Sequence, residues 1–233
     1  MGIPKLAKRG FLSAATVSLL CVVLACGLAS CGGDSKKPNR EALAAKPVIY
    51  LYPEQACEVE VSLSFDGELT CVYPSFAESL PAEDRVGGTW TVVAQPDGTL
   101  ADPGTGREYG YLFWEGLQAT EPDMSQGFCV AGADTEGFLE DSLARLGLTD
   151  REAADFITYW LPRMQGNAYN LISFQGGAYE DAARLSVDPA PDTVIRVFMA
   201  WCPFDEPVDV EPQELDAPDR GGFTLVEWGG TEL

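Results

Sequence analysis

The chain predicts an α+β fold: a β-rich domain, built as an antiparallel sheet or sandwich, with a helical hairpin inserted at about 135–161. Three observations carry this. Apolar residues alternate with a period of two before residue 131, the period becomes helical between 135 and 161, and β-branched and aromatic runs return from residue 170 onward. Strands, then a helix pair, then strands, without regular strand-helix alternation, argue against a doubly wound parallel sheet.

Taken in order, Val48-Ile49-Tyr50-Leu51-Tyr52 is β-branched and aromatic, and Pro53 ends it. Val59, Val61, Leu63 and Phe65 alternate with polar residues. Asp66-Gly67 then leads to Leu69, Cys71 and Tyr73, the signature of a hairpin. Further strands are expected at 89–94, before a turn at Asp97-Gly98, and at 109–115 and 128–131. From Thr135 to Gly147, Phe138, Leu139, Leu143 and Leu146 form one helical face. Thr149-Asp150-Arg151-Glu152 is a capping box, in which Thr149 and Glu152 satisfy each other's free backbone N–H groups. The second helix buries Ala153, Phe156, Ile157, Trp160 and Leu161, and Pro162 is expected to stop it. Strands resume at 170–174, 183–187, 194–201 and 223–228, with an acidic, proline-bearing segment between the last two that reads as a solvated loop or edge strand, a cation site being the alternative.

The 233 residues carry 15 Lys plus Arg against 36 Asp plus Glu, a net charge of −21, and no histidine. Without imidazole there is no Ser-His-Asp triad, no Cys-His pair and no His-ligated metal. The carboxylate surplus repels nucleic acid, which is bound through Lys and Arg. No Gly-rich phosphate loop is present, no cofactor is implied, and no metal site is assigned, with calcium left as an open alternative. The carboxylates of Gly132-Ala133-Asp134-Thr135-Glu136-Gly137 lack the alternate spacing of a calcium loop. Lys46 is the sole lysine after residue 45, and no Ser-x-x-Lys precedes it.

Lys5, Lys8 and Arg9 precede the apolar run FLSAATVSLLCVVLACGLAS, an export signal over residues 1–30. The run is long enough that an uncleaved span is an alternative, as is plain secretion. Leu28-Ala29-Ser30-Cys31-Gly32 resembles the bacterial lipoprotein box. The resemblance implies that Cys31 is lipidated and becomes the new amino terminus, which anchors the protein to the outer, extracytoplasmic face of the cell membrane. Val23-Leu24-Ala25-Cys26 is a poorer match, because Leu24 stands where a small residue is usual. Residues 31–45 are polar and aperiodic and read as a flexible tether. The remainder, 46–233, is long enough for one domain with a substantial core.

Four cysteines remain beyond Cys31: Cys57, Cys71, Cys129 and Cys202. An even number outside the cytoplasm suggests disulfides. Pairing 57 with 71 and 129 with 202 is one of three connectivities, and a direct bridge across an Asp66-Gly67 hairpin would need a bulge or bend.

The segments KPVIYLYP (46–53), YLFWEG (111–116), NAYNLISFQ (167–175), RVFMAWCP (196–203) and VEWGG (226–230) resemble those of an uncharacterised family of exported or lipid-anchored bacterial proteins. The resemblance spans nearly all of 46–233 and brings no catalytic residue with it. It implies that Cys129 and Cys202 stand where other residues are common, so a bridge between them would be private to this chain.

Three charges interrupt apolar strand patterns: Glu115, Arg196 and Glu227. Arg196 shares a strand face with Val194, Phe198 and Ala200, so it must be exposed or paired, and an ion pair with one of the glutamates is the expectation. The functional alternative is a cleft in which Glu115 and Glu227 act as a carboxylate pair, about 5 to 9 Å apart as in glycosidases, with Arg196 beside them. Tyr111, Trp114, Tyr169, Trp201 and Trp228 are candidates for stacking on sugars or peptides, although core packing is the commoner role of strand aromatics. Asn167, Asn170 and Gln175 bracket a helix-to-strand passage, where amides usually close backbone hydrogen bonds. Two main functions follow. One is a lipid-anchored, non-enzymatic domain that binds a protein, peptide or glycan; the other is a carboxylate-dependent hydrolase of envelope or extracellular glycans. A purely structural envelope role is the third.

Overall fold

A computed structural model describes residues 42–80, 85–118 and 121–233. Cys31, the signal segment and the tether up to residue 41 lie outside the described residues. In chain order the first strands are β1 (Ala42–Tyr52), β2 (Cys57–Phe65), β3 (Gly67–Tyr73), β4 (Glu78–Ser79), β5 (Val86–Ala94), β6 (Leu100–Ala101), β7 (Glu108–Tyr109), β8 (Leu112–Gln118) and β9 (Phe128–Ala131). After a 3-10 turn at Gly132–Asp134 come α1 (Thr135–Arg145), α2 (Asp150–Met164), β10 (Tyr169–Gln175), α3 (Gly177–Ala182), β11 (Ala183–Asp188), β12 (Thr193–Phe204) and β13 (Thr224–Glu232).

The fold is α+β and β-rich, in three layers. A seven-stranded sheet runs β3-β8-β1-β13-β12-β10-β9, and a second sheet runs β11-β2-β5-β6-β7 with β4 beside β5. All pairings are antiparallel except β12 with β13. Strand alternation sends Leu112, Trp114, Leu225 and Phe198 into the core between the sheets, where they meet Val59, Val61, Phe65 and Trp90 of the second sheet. The intervening residues Tyr50, Val197, Val226 and Trp228 face the other way, under Leu139 and Leu143 of α1 and Phe156, Trp160 and Met164 of α2. Both faces of β13 are covered, so Thr224 to Thr231 are all buried.

The helical pair follows its sequence signals at its start. Thr149 Oγ1 accepts from the Glu152 N–H at 3.4 Å and Glu152 Oε2 accepts from the Thr149 N–H at 2.8 Å, closing the capping box. Pro162, however, does not end α2, which runs on to Met164. The proline lies on the exposed side, and burial of Met164 holds the last turn against the core.

Two other expectations are corrected. The sheet begins at Ala42, inside the segment read as tether, and Ala44 and Ala45 are buried, because their small side chains fit under the two cores. Asp66-Gly67 is not a hairpin turn but a corner between sheets: β2 is flanked by β11 and β5, whereas β3 pairs with β8. With both edges of β2 occupied, β3 has no ladder to join there. The Asp66 N–H donates to the Ala182 carbonyl at 2.8 Å instead. A Cβ on Gly67 would stand 2.2 Å from the Leu117 carbonyl oxygen, so glycine is needed for close approach.

The acidic segment between β12 and β13 is a strap held at several points. Glu211 forms a parallel bridge with Gln126, Gln213 brackets the backbone of Phe174 through both amide atoms at 2.8 and 2.9 Å, and Arg220 grips Glu152.

The four cysteines Cys57, Cys71, Cys129 and Cys202 are free, which corrects the expected bridges. Cys129 and Cys202 are both register partners of Leu171, from opposite sides. They are therefore two ladder spacings apart, roughly 10 Å, beyond the reach of about 7 Å for a disulfide. Cys57 belongs to one sheet and Cys71 to the other.

Candidate functional site

On the helix-facing side of the seven-stranded sheet, an open cleft of about 350 Å³ is lined by Lys46, Tyr73, Tyr111, Phe113, Glu115 and Tyr159. Its floor is made by β8 alternation. Leu112, Trp114 and Gly116 point toward the second sheet, so Phe113 and Glu115 point toward the helices. Tyr111 directly precedes this strand, Tyr73 stands opposite Phe113 on β3, and Tyr159 comes from α2.

Lys46 reaches the cleft through a bulge. Between Ala45 and Val48, β1 carries one residue more than either neighbour, β13 or β8. Lys46 takes the left-handed conformation with φ of 53°, a position that costs a non-glycine residue roughly 1–2 kcal/mol. Its N–H donates to Glu115 Oε2 at 3.3 Å, which holds the bulge against β8. Its Nζ lies 5.2 Å from the ring centre of Tyr111, 5.5 Å from Tyr159 and 5.4 Å from Trp228, and 3.5 Å from the Tyr111 hydroxyl. Three rings around one ammonium stabilise it through their π faces. Burial raises the Tyr159 phenol above its usual range; Arg163, 4.1 Å from its ring centre, opposes the rise and Glu115 adds to it. Tyr159 therefore remains a neutral stacking and hydrogen-bonding surface at neutral pH.

The other charged group lies on the opposite face. Arg196 and Glu227 are direct register partners on the parallel β12 and β13, and their side chains enter the core between the sheets. Arg196 Nε and Nη2 each lie 2.7 Å from Glu227 Oε2, with side-chain exposures of 8% and 0%. Glu227 Oε1 accepts from the Trp114 indole N–H at 3.1 Å, and Arg196 Nη2 also donates to the Ala183 carbonyl at 2.7 Å. Tyr179 of α3 covers the guanidinium at 5.0 Å and stacks on Phe198. Burial works against the Arg196 charge, but Glu227 more than offsets it, leaving the guanidinium more firmly protonated than usual.

Glu115 and Glu227 thus project from opposite faces of one sheet, which corrects their reading as a catalytic carboxylate pair. Odd and even strand positions diverge, and the backbone of the sheet stands between the two groups. Of the stacking candidates, Tyr111 lines the cleft and Trp228 lies buried beneath Lys46. Trp114 is sealed between the sheets, and Trp201 is buried under the helices. Tyr169 opens β10, three strands from β1, roughly 14 Å away across the ladder. Asn170 is fully buried and structural: its amide donates to Thr135 Oγ1 and the Met164 carbonyl and accepts from Asn167. Gln175 brackets the backbone of Asp123.

Sequence reasoning noticed Lys46 and passed over it as a nucleophile; it also missed Tyr73, Phe113 and Tyr159. The signal for Lys46 was its solitude, one lysine in a body that otherwise uses arginine. Tyr159 stood beside the buried helical stripe with nothing to mark it. Among the described residues no cluster of His, Cys, Asp or Glu could hold a metal ion, and no helix is long and apolar enough to cross a membrane.

The chain is 39% identical over 103 residues to "Uncharacterized protein in bglA 3'region" of Butyrivibrio fibrisolvens, a match covering 44% of this chain and 95% of that protein. No family model matches the chain, and no solved structure matches it significantly. Given that identity over nearly the whole of the relative, the chain belongs to the same family as this uncharacterized Butyrivibrio protein.

Proposed function

We propose that the protein is a lipid-anchored, extracytoplasmic binding domain that takes its ligand into the cleft around Lys46. The observation that carries this reading is the composition of the cleft: aromatic side chains converge there with one ammonium and one carboxylate in an open concavity of about 350 Å³. Mostly apolar walls with a few placed polar groups, at roughly 300–1,000 Å³, are typical of small-ligand sites. The anchor rests on the lipoprotein box at Cys31. Sheet begins eleven residues later at Ala42, so the chain between them reaches at most roughly 40 Å from the bilayer. Such a domain meets envelope components or molecules arriving at the cell surface.

The test has two arms. Tyr111→Ala should weaken binding to whatever the full chain retains on glycan and peptide arrays by about tenfold, the loss of one stacked ring and one hydroxyl; undiminished binding would remove the cleft from the reading. Cys31→Ala in a bacterial host should move the protein from the membrane to the soluble fraction or medium, and continued membrane retention would remove the anchor.

A further inference from the structure

Lys46 is the sole lysine of the described body, in a chain of net charge −21. Each salt bridge among the described residues joins an arginine to a carboxylate, and Lys46 takes part in none. Glu115, its neighbour in the cleft, turns its Oε2 to the Lys46 backbone N–H rather than to the ammonium. The protein thus carries a strained bulge that presents a cation, steadied among the described residues by π faces and one phenol, at an open cavity in an otherwise acidic molecule.

The cleft floor offers no backbone for a peptide to pair with. β8 is already bonded to β3 and β1, and β1 to β8 and β13, so strand addition is closed on these two floor strands, and the sheet's edge lies beyond them at β3. What remains available is flat aromatic surface, phenol hydroxyls, one carboxylate acceptor and one ammonium. A sugar ring presents C–H faces to aromatic rings and hydroxyls to acceptors, and an ammonium selects a carboxylate.

We propose that the cleft binds an acidic saccharide, with a pyranose ring stacked on the tyrosines, its carboxylate on Lys46 and a hydroxyl on Glu115. This deepens the binding function above and rests on it. The negative charge of the whole protein opposes dense polyanions, so a sugar bearing a single carboxylate is the expected ligand.

The experiment is a calorimetric titration of the full chain. The probes are disaccharides carrying one glucuronic, galacturonic or mannuronic acid residue, each beside its carboxyl-reduced neutral counterpart. At least one acidic disaccharide should bind about tenfold more tightly than its neutral counterpart, the value of one charge-assisted hydrogen bond. The margin should shrink at about 1 M salt, vanish in Lys46→Met and largely survive in Lys46→Arg. Equal affinity for acidic and neutral sugars, lost in Tyr111→Ala, would overturn the acidic assignment while leaving the cleft as a binding site. Binding of no saccharide, with a Tyr111-dependent peptide found instead, would overturn the saccharide assignment alone. Binding of neither class in the cleft would overturn both.

Discussion

The two faces of the seven-stranded sheet each hold a basic residue beside a glutamate, and they use them oppositely. Between the sheets, Arg196 and Glu227 share two contacts of 2.7 Å, Glu227 accepts a further bond from Trp114, Arg196 donates one to the Ala183 carbonyl, and both are closed off from solvent. Toward the helices, Lys46 and Glu115 line an open cleft, touch through the Lys46 backbone rather than through their charges, and leave the ammonium among rings. Desolvation makes the difference. Charges removed from water must satisfy each other completely, whereas charges at a wet cleft can leave their bonding capacity for something else.

That contrast can be broken most forcefully at Glu227. Glu227→Gln leaves a buried guanidinium without its counter-charge and should cost about 3–5 kcal/mol in denaturant unfolding; a loss below about 1 kcal/mol would show that the inter-sheet pair is not sealed. Glu115→Gln should change stability by less than about 0.5 kcal/mol, as a solvent-facing carboxylate accepting one backbone bond does, and so stands at the small end of the series.

Between these lies the clamp of α2. Arg220 bonds both oxygens of Glu152, at 2.8 and 2.9 Å, while Thr149 caps the same carboxylate. Burial pushes the Glu152 carboxyl up, but Arg220, the Thr149 N–H and Tyr52 outweigh it and hold it below its ordinary value of 4.5. A folded-state value below the unfolded one means stabilisation present above pH 4.5 and lost as pH falls through the lower folded value. Arg220→Met should cost about 2 kcal/mol at pH 7 and flatten the fall in melting temperature as the pH drops below the ordinary carboxyl value of 4.5; an unchanged acid slope would show that other carboxylates govern it.

The bulge sharpens the comparison on its own terms. Lys46→Ala and Lys46→Gly both delete the ammonium, but only glycine removes the cost of φ at 53°. Lys46→Gly should be the more stable of the two by about 1 kcal/mol by chemical denaturation, and both should lose the preference for the acidic over the neutral sugar. Equal stability would mean that the backbone there relaxes when the side chain is cut back.

Much of the fold was legible in the sequence because its signals are local. Period-two alternation in 59–65, the helical stripe of 138–146 and the capping box at Thr149-Glu152 are each set by residues a few positions apart, and each element formed where its pattern lies. The Asp66-Gly67 hairpin failed because pairing is not local. The same two residues can close a ladder or turn a corner, and the choice was made by β5 and β11 occupying both edges of β2.

The site divides along the same line. Sequence alone determined that Arg196 needs a partner, since a guanidinium in an apolar strand pattern is intolerable unpaired; it also excluded imidazole chemistry outright. Only the tertiary structure decided which glutamate answers. Glu115 and Glu227 carry the same chemistry in similar strand contexts, and the face on which each emerges depends on strand order and register. Tyr73, Lys46, Tyr111 and Tyr159 come from four separate parts of the chain, and no spacing rule links them. They became a cleft because β3, β8 and β1 are neighbours in one sheet and α2 packs over it, and such long-range juxtaposition is a property of packing that no local pattern contains.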